Sequence, residues 1–321
     1  MKYKRYLQKL LLILSFFVVS IFLLNYFIDP YGYMSRQNKF IKNISMVNNP
    51  QVINARINSD GFYYLIGTSR MSRIDPHIIE ILTKQPTHNI KIDGATLREN
   101  YYLAQEIKKR NKNFIYGFDA FSLNITRNNY DEINYRFELY KNELQNNNRF
   151  TNFYNSDITI RSLQHLSKNL QNYPYNKKYI EENEHNFNYN KQSILDHTGI
   201  ANNTNKKNFS NYKIYDEQDI IALAKLGTYD DIFIIFPKHF YHYQLFQKYQ
   251  NIEAQYFKAI KLLVTNTNAK VWSFYGYNDI TIDKKNFDDN GWHFKPKYRN
   301  SYLRKFFIKK MIKYQKILAF C

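Results

Sequence analysis

Phe62-Tyr63-Tyr64-Leu65-Ile66-Gly67-Thr68-Ser69-Arg70 is a run of five apolar residues that stops at a glycine and turns polar. A run this short, closed by glycine, reads as a buried strand leading into a turn rather than as a helix. The same punctuation recurs along the chain. Residues 76–82 have the pattern of a short helix, and residues 89–93 form a second strand candidate closed by Gly94. Leu97, Tyr101, Ala104 and Ile107 recur at helical spacing over residues 97–110. Strand candidates follow at 114–118, 231–236 and 270–274, with a helix-like stretch at 250–264 before the last. Strands alternating with helices at this spacing predict βαβ units, a five-stranded parallel sheet and an α/β fold.

Upstream of the first strand the chain carries a different signal. Residues 10–28, LLLILSFFVVSIFLLNYFI, hold no charge. At 1.5 Å per residue they match a hydrocarbon core of roughly 30 Å. Lys2, Lys4, Arg5 and Lys9 precede them, so the expected topology is a cytoplasmic tail (1–9), a single transmembrane anchor (10–28) and an extracytoplasmic body. A cleavable signal peptide is the competing reading. The length of the run and the bulky residues after it, with no Ala-x-Ala-like site, favour a retained anchor. Residues 29–57 read as a polar connector and 58–321 as the body. Within the body, the Asn- and Tyr-rich stretch 127–225 reads as an α-rich insertion, with weak helical periodicity at 130–144 and 162–170 and an exposed loop at 201–207. Residues 298–320, with apolar residues among many lysines, read as a closing helix of the sheet, with a membrane-surface helix as the alternative.

Composition narrows the function less than topology does. The 321 residues can bury a real core. The lone cysteine, Cys321, allows no intrachain disulfide and no cysteine-rich zinc site. A net charge of +19 suits anionic lipid, acidic glycan or nucleic acid, and so selects no partner by itself. Abundant Lys, Asn and Tyr beside few Gly and Pro also fit AT-rich coding. An extracytoplasmic body argues against nucleic acid.

Ligands of open parallel sheets bind beyond the carboxyl ends of the strands. There the sequence offers Gly67-Thr68-Ser69-Arg70 after the first strand, Asp93-Gly94-Ala95-Thr96 after the second and Gly117-Phe118-Asp119 at the third. Pro237-Lys238-His239-Phe240-Tyr241-His242 follows the fourth, and Asp288-Asp289-Asn290-Gly291-Trp292-His293-Phe294 the last. A serine nucleophile needs an imidazole to take its proton and a third group to orient that imidazole. Each residue also has a plainer reading. Ser69 would cap the following helix, His293 would be a buried structural histidine, and Arg70 and Arg73, read equally as binding an anionic group of the substrate, would pair with Asp75. His239 and His242 are three apart without a third ligand at recognisable spacing, which argues against a metal site. Tyr173 and Tyr175 read as core aromatics or as sugar-stacking platforms.

Taken together, Gly67-Thr68-Ser69-Arg70 with Ile74-Asp75-Pro76, then Asp93-Gly94-Ala95-Thr96-Leu97, Gly117-Phe118-Asp119 and Gly291-Trp292-His293-Phe294, resemble the SGNH (GDSL-like) hydrolase and acyltransferase superfamily. The nearer resemblance is to its membrane-anchored bacterial branch, related to proteins of teichoic-acid D-alanylation and exopolysaccharide O-acetylation. It covers about residues 63–119 and 231–297 and leaves the insertion out. The resemblance implies a three-layer α/β/α sandwich, Ser69 as nucleophile and His293 as base. It further implies an oxyanion hole from the backbone N–H groups of Ser69 and Gly94, with a third donor at position 119. Two positions depart from the family pattern. The slot of the triad acid, three before the histidine, holds Asn290, with Asp289 and Asp288 just before it. Position 119 is Asp where many members have Asn, and a carboxylate there repels an oxyanion.

The expectation is thus a serine-dependent esterase or O-acyltransferase, requiring no cofactor and no metal, that acts on acyl esters of an envelope or capsular glycan. Its partners would be the acylated glycan or an acyl donor, and a multispanning membrane acyltransferase. The alternative is a non-catalytic envelope protein that keeps the fold for glycan binding or assembly.

Overall fold

The structure, a computed structural model, describes residues 2–30, 49–58, 61–74, 76–145, 154, 156–170, 212–249 and 251–287. The chain divides into two compact units. One comprises residues 61–139 and 177–321 and contains the sheet; the other comprises residues 1–60 and 140–176.

The sheet has five strands, all parallel: β1 (Tyr63–Ile66), β2 (Thr87–Asn89), β3 (Asn113–Phe118), β4 (Ile232–Ile235) and β5 (Lys270–Ser273), in the order β2-β1-β3-β4-β5. The helices between them are α3 (Pro76–Thr83), α4 (Leu97–Lys109), α7 (Glu217–Leu226), α8 (Phe240–Lys248) and α9 (Ile252–Asn266). Alternate strand residues point to opposite faces. On one face Tyr63, Leu65, Ile115, Ile232 and Ile234 pack with Met71, Ile74 and α3's Ile79. On the other, Phe233 packs its ring edge against Phe114, and Tyr256 of α9 stacks on Phe118 at 6.0 Å. Both faces are therefore covered by helices. This is why the inner strands β1, β3 and β4 are almost continuously apolar rather than alternating, and it is the α/β sandwich that the sequence leads one to expect.

The lower edge is tied by Asp231. Its buried carboxylate accepts from Phe114 N–H (2.8 Å) and from the Thr228 backbone and hydroxyl (2.7 Å each), and pairs with Lys108. At the upper edge the strands approach so closely that side chains are excluded. Gly67 has φ +138°, and a Cβ on it would stand 3.2 Å from the Gly117 carbonyl oxygen and 2.8 Å from Met71 Cγ.

Three local expectations are corrected. The second strand is not 89–93 but Thr87–Asn89, because it is an edge strand with one neighbour and needs no apolar run; Ile90 and Ile92 still donate to Leu65 O and Gly67 O. The connector 29–57 ends in a helix, α2 (Pro50–Ile57), started by Asn49, whose side chain accepts from Gln51 N–H, and by proline at the first position. An antiparallel bridge joins Asn124, just before the stretch read as an insertion, to Ile214 near its end. Residues 217–226, assigned to it from sequence, form α7, which packs against α4 and α9 as a layer helix. The predicted periodicities at 130–144 and 162–170 appear as α5 (Asp131–Gln145) and α6 (Ser156–Leu170). The loop at 201–207, Tyr173, Tyr175, Asp75 and the helix expected at 298–320 lie outside the described residues.

The other unit holds α1 (Lys2–Ile28), an apolar helix long enough to span a membrane, with α2 and α6. Val52, Ile53 and Ile57 bury the inner face of α2, and Asn54 Nδ2 donates to Glu143 O at 2.8 Å.

Candidate active site

In this strand order the connections leave β1 and β3 in opposite directions, and the crevice between their carboxyl ends is where ligands settle. Gly67-Thr68-Ser69-Arg70 rises from β1 and Asp119 follows β3 at that crevice. Ser69 begins a 3₁₀ turn (Ser69–Arg73) and is half-buried. The N-cap position belongs to Thr68, so Ser69 is not the capping residue its sequence context also suggested.

Three loops are stitched together around Ser69. Ile92 N–H donates to Gly67 O (3.1 Å), which brings the loop after β2 against the loop after β1. The Thr68 hydroxyl donates to Asp119 Oδ2 (2.8 Å), and Ser122 N–H donates to Asp119 Oδ1 (3.0 Å). Leu97 N–H donates to Ser122 O (2.8 Å), joining the start of α4 to the turn after β3. Asp119 is fully buried and accepts on both oxygens, so its carboxylate acts as a strut between loops. It offers no donor to a substrate in that arrangement.

Gly94 is held more elaborately. Its φ is +65°, natural for glycine. Arg127 Nη2 donates to Gly94 O (2.6 Å), and Arg136 donates to Asp93 O (Nη1, 3.0 Å) and Gly94 O (Nη2, 3.1 Å). Arg136 also makes a two-point ion pair with Glu99 (2.7 and 2.9 Å). Glu99 in turn closes a capping box with Thr96 at the start of α4. Because the peptide is trans and planar, anchoring the Asp93 carbonyl on Arg136 aims the Gly94 N–H the opposite way. The same logic holds at Ser69: the Thr68 carbonyl accepts from Met71 N–H, so the Ser69 N–H is turned away from the 3₁₀ turn. Burial, and then repulsion from Arg136, push the Arg127 guanidinium down to about 10.

Arg70 is buried beside this turn, and its charge is felt by Lys238 at the end of β4. Lys238 is fully buried. Its Nζ lies over the rings of Phe246 (3.9 Å), Tyr256 (4.5 Å) and Tyr275 (5.0 Å), without a hydrogen-bond acceptor among the described residues. Ring faces supply about 2 kcal/mol to a desolvated cation, while removal from water costs several. Desolvation wins and pushes the Lys238 ammonium well below the usual lysine range; Arg70 acts the same way, and Glu253 and Asp119 oppose it. With the folded pKa depressed, the unfolded chain binds more protons between that value and about 10.4, so stability rises with pH in this window. Lys238→Met is expected to raise unfolding free energy at pH 7 and to flatten its rise with pH below the range where tyrosines ionise. Urea titrations at several pH values below that range, wild type against variant, check it.

The remaining predicted residues, His293, Asp289, Asn290 and Asp288, lie outside the described residues. Phe287, the last residue before them, is buried and packs edge-on to the His239 ring at 5.6 Å, on the loop that leaves β4. His239 itself caps α8 by accepting from Tyr241 N–H (3.3 Å), and His242 is buried against Phe246. Sequence reasoning missed the braces Thr68, Arg127, Arg136 and Glu99 and the buried charge of Lys238. Only Thr68 and Lys238 carried a visible signal, their place just after a strand. Compared with protein-family models and with curated proteins, the chain matches none.

Proposed function

We propose that this chain is a membrane-anchored serine acyl-transfer enzyme of the SGNH-like class, acting on ester-linked acyl groups, O-acetyl foremost, of an envelope or capsular glycan. Ser69 Oγ attacks the acyl carbonyl and His293 takes the hydroxyl proton. The N–H groups of Ser69 and Gly94 hold the oxyanion, and His293 returns the proton to the leaving alkoxide. Water or a sugar hydroxyl then accepts the acyl group. Asp289 or Asn290 orients His293. The basic residues at the start of α1, ahead of its apolar run, support a body outside the cytoplasm, beside a multispanning acyl exporter that would supply the donor.

One observation carries this reading: the Ser69 turn and the Gly94 loop are hydrogen-bonded neighbours at the β1/β3 crevice, with the peptides before Ser69 and Gly94 each fixed through a carbonyl. Chain length supports the base. Six residues from Phe287 to His293 reach up to about 20 Å, and β4 stands two strand spacings, about 10 Å, from β1.

The test is covalent trapping. A fluorophosphonate probe incubated with the full-length chain in detergent micelles is expected to add one adduct, mapped to Ser69 by mass spectrometry and absent from Ser69→Ala. No adduct, or an adduct that persists in Ser69→Ala, overturns the proposal and favours a glycan-binding protein that has kept the fold.

A further inference from the structure

We infer that α6 is a membrane-interface helix, seated in the bilayer leaflet that receives the C-terminal end of α1. The inference rests on the reading of α1 as a membrane span. Its evidence lies within one unit of the chain.

The apolar run 10–28 is about 28 Å long at 1.5 Å per residue, and so fills a hydrocarbon core with nothing to spare. Whatever touches α1 well inside its C-terminal end must therefore enter the bilayer. Residues 3–19 of α1 are exposed throughout, whereas Ser20, Phe22, Leu24, Asn25, Tyr26 and Ile28 are covered to varying degrees. α6 packs along this end. Phe22 meets the Tyr154 ring at 5.5 Å, and Asn25 Nδ2 donates to Thr159 Oγ1 at 2.9 Å. Phe22 lies six residues before Ile28, so Tyr154 stands about 9 Å below the end of the span. That matches the depth of about 5–10 Å at which interfacial helices bury their apolar faces.

The exposed surface of α6 has the chemistry for that position. Ile158, Ser162 and His165, at helical spacing, face inward. Thr159, which meets α1, Ile160 and Leu163 form a neighbouring strip, joined by i,i+3 and i,i+4 spacing. Ile160 and Leu163 are 54 % and 51 % exposed, and Tyr154 before the helix is 55 % exposed. In water these side chains are an unexplained cost; beside a span they continue its lipid-facing surface. Arg161 and Gln164 occupy the polar flank. The Asn25–Thr159 hydrogen bond has the same logic. An amide inside the apolar run is costly to leave unmade in lipid, and α6 supplies its partner.

The experiment uses the full chain, with Cys321→Ser, reconstituted into phosphatidylethanolamine/phosphatidylglycerol vesicles and spin-labelled at single cysteines. Labels at Ile160→Cys and Leu163→Cys are expected to be more accessible to oxygen than to a water-soluble nickel chelate, and Gln164→Cys the reverse. Val18→Cys, on the exposed part of α1, reports on the span separately. A lipid-facing signal at 18 with aqueous signals at 160 and 163 overturns the interface helix and leaves the anchor standing. Shielding from both reagents at 160 and 163 overturns it in favour of a protein partner. An aqueous signal at 18 overturns the anchor, and the interface helix with it.

Discussion

Ser69→Ala and His293→Ala are each expected to lower kcat/KM for p-nitrophenyl acetate by about 10³-fold or more, while thermal stability stays within about 1 kcal/mol of wild type. In the proposed mechanism the two groups work as a unit. There, without His293 the Ser69 hydroxyl is not deprotonated, and without Ser69 no acyl-enzyme forms. The double variant should therefore be no worse than either single one, since removing one partner already removes the step. Residual turnover above water would be the share of the Ser69 and Gly94 N–H groups, which both substitutions spare. Asp289→Ala should cost more than Asn290→Ala, because only a carboxylate stabilises the imidazolium that forms in the transition state. Steady-state kinetics of the four variants check all of this. Equal activity in wild type and Ser69→Ala would remove this serine from the chemistry. Additive losses in the double variant would show that Ser69 and His293 act in separate steps.

What was legible beforehand divides along a physical line. β1, β3 and β4, buried on both faces, announce themselves as apolar runs, and α4, α5 and α9 by helical spacing, because burial selects for that composition directly. Thr87-His88-Asn89 forms β2 with no such signal: an edge strand is held by backbone bonds to a single neighbour, and the apolar Ile90 and Ile92 beside it drew the reading too far along. α2 shows the converse limit, a short helix made by an Asn-Pro start inside a polar stretch. At the site, Ser69 and Gly94 were legible because strand ends and glycines punctuate the chain. The arginines that hold Gly94 were not. Arg127 and Arg136 sit in a region whose sequence shows only weak periodicity, and nothing local distinguishes a guanidinium that faces water from one that anchors a loop more than thirty residues away.

The resulting division of labour is unusual for a loop-borne site. In the proposed site the loops supply the chemistry, and charged groups brace them: Asp119, just after β3, braces Thr68, Arg136 on α5 braces Asp93 and Gly94, and Glu99 on α4 braces Arg136. Together the braces tie the loops after β1, β2 and β3 to one another and to α4 and α5. Preorganisation of this kind is what lets backbone N–H groups stabilise charge at little reorganisation cost.

Arg136→Ala is accordingly expected to destabilise the protein by about 3 kcal/mol and, separately, to lower kcat by roughly tenfold with little change in KM. The stability loss comes from Glu99. Its side chain is 1 % exposed and would keep only its Thr96 contacts, and breaking a buried pair by removing one partner costs about 3–5 kcal/mol. Arg136 is 27 % exposed, so water replaces part of it and the lower figure applies. The loss in kcat has another origin. The Asp93 carbonyl loses the Arg136 donor and the Gly94 carbonyl keeps that from Arg127, so in the proposed mechanism the Gly94 N–H is less firmly aimed when the oxyanion forms. A transition-state effect of that kind lowers kcat rather than raising KM. Arg136→Lys should recover part of the stability but not the two-point geometry. Adding Glu99→Gln to Arg136→Ala separates the two effects, since a neutral amide leaves no buried charge unpaired. Stability should largely return while kcat stays low. If kcat instead returns in step with stability, Arg136 serves only the fold, and the direction of the Gly94 peptide contributes nothing to catalysis.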